Sequence, residues 1–129
     1  MKKIVVDTNF LLMPYEYGID LPGELMRIVH GPITLIISSG TKNELETLAG
    51  RNGRRATAAR FVLQNLPLIK SKFPVEIEPS KGAVDNWIIN FARINGVTVA
   101  TNDVPLRKKL LAMGVPVIAM KGKSKLDFV

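Results

Sequence analysis

Cysteine is absent from the 129 residues, and histidine occurs once, at His30. The absence of cysteine excludes disulfides, thiolate nucleophiles and zinc-finger sites. A single histidine argues against a Ser-His-Asp triad and against a multi-histidine metal site. Any catalysis must therefore use carboxylates, hydroxyls, amides, lysine or arginine.

Long apolar stretches are also missing. No run approaches the ~20 residues needed to span a bilayer, and the opening run Ile4–Val6 is too short for a signal peptide because Asp7 interrupts it. We therefore expect a cytoplasmic protein with no membrane partner. Hydrophobic residues make up 47% and charged residues 22%, a composition typical of one soluble domain with its own core.

Acidic residues are outnumbered by basic ones. Eighteen Lys and Arg residues against 11 Asp and Glu give a net charge of +7, which favours polyanionic partners such as RNA, DNA or an anionic membrane face. The same charge also serves plain solubility. The candidate RNA-binding residues are Arg51, Arg54 and Arg55, in a polar break between two helices, and Arg107 and Lys108. A merely solvated loop explains the first three equally well.

Short apolar runs alternate with helical patterns along the chain. The predicted strands are Ile4–Val6, Ile33–Ile37, Val75–Ile77, Val97–Ala100 and Val115–Ala119. The predicted helices are Phe10–Tyr15, Pro22–Val29, Thr41–Ala49, Ala56–Leu68, Ala83–Asn95 and Pro105–Met113. This alternation predicts an α/β fold with three α/β/α layers around a central, mostly parallel, five-stranded sheet. We assign residues 1–120 to that domain and residues 121–129 to a basic C-terminal tail, which we expect to be mobile.

Four acids are predicted to lie near one edge of this sheet. Asp7 follows the first strand and Asp103 the fourth, while Glu44 and Asp85 lie near helix starts. Ligands of open α/β sheets gather at the carboxyl ends of strands. Asp85 shares a helix face with Ile88, a face predicted to be buried, where an unpartnered acid is costly. Carboxylates without histidine or cysteine suit Mg²⁺ or Mn²⁺, which can activate water for phosphodiester hydrolysis.

Each acid alone also has a structural explanation. Glu44 would complete a capping box with Thr41, and Asp85 would favour the positive end of its helix. Asp103 or the asparagine before it would cap the last helix, and Asp7 would end a strand in a turn. The coincidence of all four at one sheet edge is what favours a functional site, since their mutual repulsion demands a cation or raised pKa values.

Four motifs in order resemble the pattern of the PIN-domain family. They are Asp7-Thr8-Asn9, Glu44-Leu45, Asp85-Asn86-Trp87-Ile88 and Thr101-Asn102-Asp103. The phrase around Val99–Asp103, with Gly114–Ile118, is similar to archaeal relatives of the eukaryotic PIN nucleases of small-subunit rRNA processing. The VapC-type toxins are the other branch that the chain resembles. Asn86 stands where the rRNA-processing group tends to have a second acid, which implies weak or no binding of a second metal.

The resemblance implies a PIN fold and Mg²⁺- or Mn²⁺-dependent endonucleolytic cleavage of RNA, in RNA processing or as a toxin. It implies that the metal, or water bound to it, is held by Asp7, Glu44, Asp85 and Asp103. It implies that these carboxylates are oriented by Thr8, Asn9, Thr101 and Asn102. The partners it implies are RNA, a second copy of the chain, and either an antitoxin or a ribosome-assembly factor.

Two other hypotheses stay open. The first is a non-catalytic RNA-binding PIN module that acts as an assembly scaffold, which the departure at Asn86 allows. The second is an unrelated Mg²⁺-dependent phosphatase or hydrolase of the α/β class. The sequence argues against the second, because Asp7 is followed by Thr8 and Asn9 and so lacks the second acid of an Asp-x-Asp motif.

Overall fold

A computed structural model describes residues 2–129, which form an α/β domain. Its strands are β1 (Lys2–Val6), β2 (Ile33–Ser38), β3 (Val75–Glu78), β4 (Thr98–Ala100), β5 (Val117–Lys121) and β6 (Lys125–Phe128). Its helices are α1 (Thr8–Tyr17), α2 (Leu21–Ile28), α3 (Ser39–Ala49), α4 (Arg54–Lys72), α5 (Val84–Ile94) and α6 (Val104–Ala112). The five predicted strands and six predicted helices are all present.

The strands form one sheet in the order β3-β2-β1-β4-β5-β6. Every pairing is parallel except that of β6 with β5, which is antiparallel. Successive side chains of a strand face opposite sides of the sheet. On β1, Ile4 and Val6 pack with residues of α1 to α4, whereas Val5 packs with residues of α5 and α6. Helices therefore cover both faces, and the predicted three-layer architecture is confirmed.

The sheet has six strands rather than the five predicted. Residues 121–129, expected as a mobile basic tail, instead turn at Gly122 and return along β5 as strand β6. Leu126 supplies the reason, because its side chain is fully buried in the core beneath α2. Burial of one leucine removes enough apolar surface from water to favour the strand by ~2 kcal/mol. The prediction of a mobile tail is wrong.

Helix α3 begins earlier than predicted. Ser38 is its N-cap, and its hydroxyl oxygen accepts a hydrogen bond from the Thr41 N–H at 3.0 Å. Thr41 thus lies inside the first turn, and the predicted capping box between Thr41 and Glu44 is wrong. Ser38 is a favourable cap because its side-chain oxygen satisfies an N–H that the helix leaves without a partner.

None of the helices within residues 2–129 has the length and apolar character needed to cross a membrane.

Candidate active site

All four predicted acids line one cleft at the carboxyl end of the sheet. The cleft has a volume of about 330 Å³. Its lining consists of Asp7, Thr8, Asn9, Glu44, Ala83, Val84, Asp85 and Asp103. Strand β1 delivers the first acid, α3 the second, α5 the third and the turn after β4 the fourth. The topology therefore brings together acids that lie up to 96 positions apart, from 7 to 103 in the chain.

Asp7 is the most buried acid of the cleft, with 6% of its surface exposed. Its Oδ1 accepts a hydrogen bond from the Phe10 N–H at 2.7 Å, which caps α1, and its Oδ2 accepts one from the Thr101 hydroxyl. Burial raises the pKa of Asp7 above its usual value, these two hydrogen bonds oppose the rise, and the charges of Asp85 and Asp103 add to it. Asp7 is thus a fixed carboxylate in a site that disfavours its negative charge.

Asp103 caps α6 while it borders the cleft. Its Oδ1 accepts a hydrogen bond from the Leu106 N–H at 2.9 Å, and its own N–H donates to Thr101 Oγ1 at 3.1 Å. The cap expected for the last helix is therefore confirmed at Asp103. Thr101, which has no exposed surface, links the Asp103 backbone to the Asp7 carboxylate. One hydroxyl holds two of the acid-bearing segments together.

Glu44 and Asp85 are exposed at the walls of the cleft. Partial desolvation raises the pKa of Asp85, the charge of Asp103 raises it further, and Lys109 opposes the rise. The prediction that Asp85 shares the buried face of its helix is wrong. Ile88 is buried as expected, but Asp85 is exposed and lines the cleft.

The acids surround the cleft without converging on one point. Among residues 2–129, no three His, Asp or Glu side chains are spaced closely enough to hold a metal ion. The donor set nevertheless fits a hard divalent cation in kind, because it consists of carboxylate oxygens. Burial, and to a smaller extent the charges of Asp85 and Asp103, raises the pKa of Asp7, and a bound cation would offset both effects.

Three of the four residues expected to orient the carboxylates have other hydrogen-bond partners. Asn102 Nδ2 donates to Met13 Sδ at 3.3 Å, and its Oδ1 accepts from the Met120 N–H at 2.8 Å. Thr8 donates to Thr41 Oγ1 at 3.1 Å. These three bonds join neighbouring elements, so Thr101 is the residue of the four whose side chain donates to a cleft carboxylate, that of Asp7. The expectation for Asn102 and Thr8 is therefore corrected, because each finds its partner on an adjacent element.

Comparison with known proteins settles the family. Residues 4–123 match the family described as "PIN like domain". The chain belongs to the PIN-domain family. It is 34% identical over 124 residues to ribonuclease VapC4 of Methanocaldococcus jannaschii, a match that covers 95% of this chain and 93% of the relative. It is 35% identical over 118 residues to ribonuclease VapC9 of Archaeoglobus fulgidus, covering 91% of this chain and 82% of the relative.

Solved structures agree with this family. The PIN domain endonuclease Utp24 is similar with a TM-score of 0.76 and 25% identity, covering 98% of this chain and 90% of that structure. A domain of a functionally unknown protein from Methanocaldococcus jannaschii shares the fold with a TM-score of 0.71 and 20% identity, covering 97% of this chain and 95% of that one. The PIN fold predicted from the four motifs is confirmed.

Two arginines at the start of α4, Arg54 and Arg55, form what we call the basic rim, and Arg55 borders the cleft of this PIN domain. Arg55, in the first turn of α4, donates from Nη2 to Asn9 Oδ1 at 2.9 Å, and Asn9 lines the cleft. Asn9 was expected to orient a carboxylate, and the structure gives it this arginine as a partner. Arg51 and Arg54 are exposed nearby in the chain. Of the other basic candidates, both on α6, Arg107 is half-buried and Lys108 exposed.

Several structural residues of the site were missed in the sequence. Arg60 donates from Nη1 to the carbonyls of Ala49, at 2.8 Å, and Arg51, at 3.2 Å, and so holds the loop that precedes the basic rim. Hydroxyl side chains also join elements of the site: Ser39 and Ser80 join α3 to the loop before α5, and Thr41 joins α3 to α1, while Ser38 caps α3. Of these roles, only the helix cap at Ser38 could have been predicted from the sequence, because serine is a preferred N-cap residue.

Proposed function

We propose that this protein is a Mg²⁺- or Mn²⁺-dependent endoribonuclease that hydrolyses RNA phosphodiesters in the acidic cleft. The observation that carries the proposal is a cleft lined by four carboxylates and bordered by an arginine, in a PIN domain. Two relatives that are 34% and 35% identical are named ribonucleases, which supports RNA as the substrate.

The proposed metal ligands are Asp7, Glu44, Asp85 and Asp103. Asp7 is held by two hydrogen bonds and serves as the fixed ligand. Glu44 and Asp85 are exposed, so their side chains can reorient toward a cation. A bound divalent cation would supply an activated water and charge stabilisation for the phosphodiester. Thr101 keeps the Asp7 carboxylate oriented, as is usual for residues behind a metal ligand.

Arg55 is proposed to bind the RNA backbone beside the scissile phosphate. Its hydrogen bond to Asn9 fixes the guanidinium at the cleft, and a guanidinium matches phosphate oxygens in a bidentate manner. The net charge of +7 attracts RNA over a longer range. Arg51 and Arg54 would extend this contact along the strand.

The biological role is proposed to be that of a VapC-type toxin held in check by an antitoxin. The relatives named VapC are 34% and 35% identical, compared with 25% for Utp24. Expression of the chain alone should then arrest growth, and an Asp7→Asn chain should not. Unimpaired growth with active enzyme would favour an RNA-processing role instead. A homodimer and a ribosome-assembly partner stay predictions.

The decisive experiment is cleavage of end-labelled RNA in Mn²⁺, Mg²⁺ or EDTA. Cutting should require metal and should disappear in Asp7→Asn and Asp103→Asn. Asp127→Asn is the matched control, because this aspartate lies on β6 and outside the cleft lining. Cutting that persists in both cleft variants would point to a contaminant or to another site.

A non-catalytic RNA-binding scaffold is the second candidate. Two observations favour it: Asn86 replaces an acid beside Asp85, and no three acids within residues 2–129 are spaced to hold a metal. In that case RNA would bind without being cut under any metal condition, and binding would survive Asp7→Asn.

A further inference from the structure

Two serines join the start of α3 to the loop that leads into α5. The Ser80 N–H donates to Ser39 Oγ at 2.8 Å, and the Gly40 N–H donates to Ser80 Oγ at 2.8 Å. The two hydroxyl oxygens lie 3.2 Å apart. Each side chain therefore accepts a backbone N–H from the other segment. We call this reciprocal arrangement of Ser39, Gly40 and Ser80 the serine clasp.

Gly40 permits the two segments to approach this closely. A Cβ at position 40 would lie 3.1 Å from Ser80 Oγ and 3.2 Å from Val84 Cγ2. These distances are shorter than ordinary carbon contacts, which are 3.5–4.0 Å. A larger residue at this position would require the side chains of Ser80 and Val84, at the entry to α5, to shift by a few tenths of an ångström.

The serine clasp bridges helices that belong to different layers. Leu45 of α3 packs in the core on one face of the sheet, and Ile88 of α5 packs in the core on the other face. Glu44 and Asp85 each lie five residues after a clasp serine, on the walls of the same cleft. The separation of these two carboxylates therefore depends on how the two helix starts are fixed to each other.

Other interactions already secure the fold around the serine clasp. Ser38 caps α3 independently, and β3, which precedes the clasp loop, is paired with β2 up to Glu78. A half-buried hydrogen bond of this kind contributes only a small part of the stability of a domain. Loss of one clasp serine should thus leave the domain folded while it loosens one wall of the cleft.

We propose that Ser39 and Ser80 are positioning residues that set the spacing of Glu44 and Asp85 and thereby the affinity of the cleft for a divalent cation. This inference rests on the proposed metal-dependent function. It assigns a role to residues that touch neither the cation nor the RNA.

The test measures Mn²⁺ binding to the full-length protein by titration calorimetry, without RNA. Ser39→Ala and Ser80→Ala should each weaken binding by ~10-fold, the range typical of residues that support metal ligands. Gly40→Ala should weaken binding as well, although alanine is the better helix former. Ser80→Thr keeps the hydroxyl and should bind as the wild type does. Ser71→Ala, which removes an exposed hydroxyl at the far end of α4, is the matched control.

Amide hydrogen exchange supplies a readout of the serine clasp itself. The Gly40 amide should exchange faster in Ser80→Ala, since it loses its acceptor, and the Ser80 amide faster in Ser39→Ala. Faster exchange together with unchanged Mn²⁺ affinity would overturn the inference and leave the proposed function intact. Failure of the wild-type protein to bind Mn²⁺ would overturn both.

Discussion

The buried carboxylate of Asp7 is needed for the proposed cleavage, but its negative charge lowers the stability of the folded protein. Its carboxylate is buried beside other acids, and burial raises its pKa in the folded state. The ionised form is therefore less favourable in the folded protein than in the unfolded chain. The contribution of Asp7 to stability is therefore greatest below the ordinary pKa of aspartate and is lost as the pH rises through the raised value.

Asp7→Asn should accordingly raise the melting temperature at neutral pH in metal-free buffer, while it abolishes cleavage. The gain should shrink as the pH falls toward the ordinary pKa of aspartate, because the raised pKa lets the folded protein take up the proton there. Asparagine keeps an acceptor for the Phe10 N–H. Asp7→Ala is the control that loses this cap and should be less stable than Asp7→Asn by ~1 kcal/mol. A wild-type protein more stable than Asp7→Asn across the whole pH range would contradict the argument.

The single hydroxyl of Thr101 donates a hydrogen bond to the Asp7 carboxylate and accepts one from the Asp103 N–H. Thr101→Val keeps the shape but leaves the Asp103 N–H without its acceptor and removes a donor from Asp7. The cost should be ~1–3 kcal/mol in the free energy of unfolding, measured by urea denaturation. Thr101→Ser retains the hydroxyl and should recover most of that loss. Equal stability of the valine and serine variants would show that the hydrogen bonds matter little.

The positions of Asp7 and Asp103 could be predicted because Asp7 directly follows β1, Asp103 lies three residues after β4, and parallel strands end at one sheet edge. The hydrogen-bond partners of the hydroxyl side chains could not be predicted. Ser39 and Ser80 are 41 residues apart, and a serine pattern carries no information about which distant N–H it will meet. Asn102 shows the same limit, because proximity in sequence to Asp103 suggested a partner that the fold did not provide.

At the scale of elements, α2 holds β6 in place. The Leu126 N–H donates to Glu24 Oε1 at 2.9 Å, and Arg27 Nη2 donates to the Leu126 carbonyl at 2.7 Å. Arg27 also pairs with Glu24 at 3.0 Å. The two side chains of one helix thus bind the backbone of the edge strand.

Glu24→Ala should speed amide exchange at Leu126, because the N–H loses its acceptor. Glu16→Ala, at an exposed position of α1, is the control and should leave this amide protected. The hydrogen bond from Arg27, followed by that from Leu126, lowers the pKa of Glu24. The protection should therefore be complete above the ordinary pKa of glutamate and be lost as the pH falls through the lowered value. An exchange rate independent of Glu24 would show that burial of Leu126 alone holds the strand.

Strand β6 was missed for a physical reason. Its four residues, Lys125–Phe128, alternate polar and apolar side chains, but so short a run after a basic, glycine-containing stretch is a weak strand signal, and only Leu126 is fully buried. The start of α3 was missed because Gly40 lies in its first turn, where glycine usually signals a break. In both cases contacts with other elements decided the local structure.

At the scale of the whole molecule, the net positive charge should make RNA binding sensitive to salt. The test compares two double variants of α4 that lose equal charge. Arg54→Ala/Arg55→Ala removes the rim beside the cleft, whereas Lys70→Ala/Lys72→Ala lies roughly 23 Å away along the helix. The first should lower the slope of log K against log salt by up to ~1.4, and the second should leave it near the wild-type value. Equal slopes would show that RNA does not use the rim.

The central position of β1 has a consequence for how the enzyme is made. This strand pairs with β2 at residues 33–36 and with β4 at residues 98–100, so its second edge stays open until most of the chain exists. Contacts between residues so far apart also form slowly, because loop closure must come first. On the ribosome, the cleft cannot form around Asp7 until Thr101 and Asp103 have left the exit tunnel. A nascent chain therefore lacks the complete cleft until β4 and the turn after it have emerged.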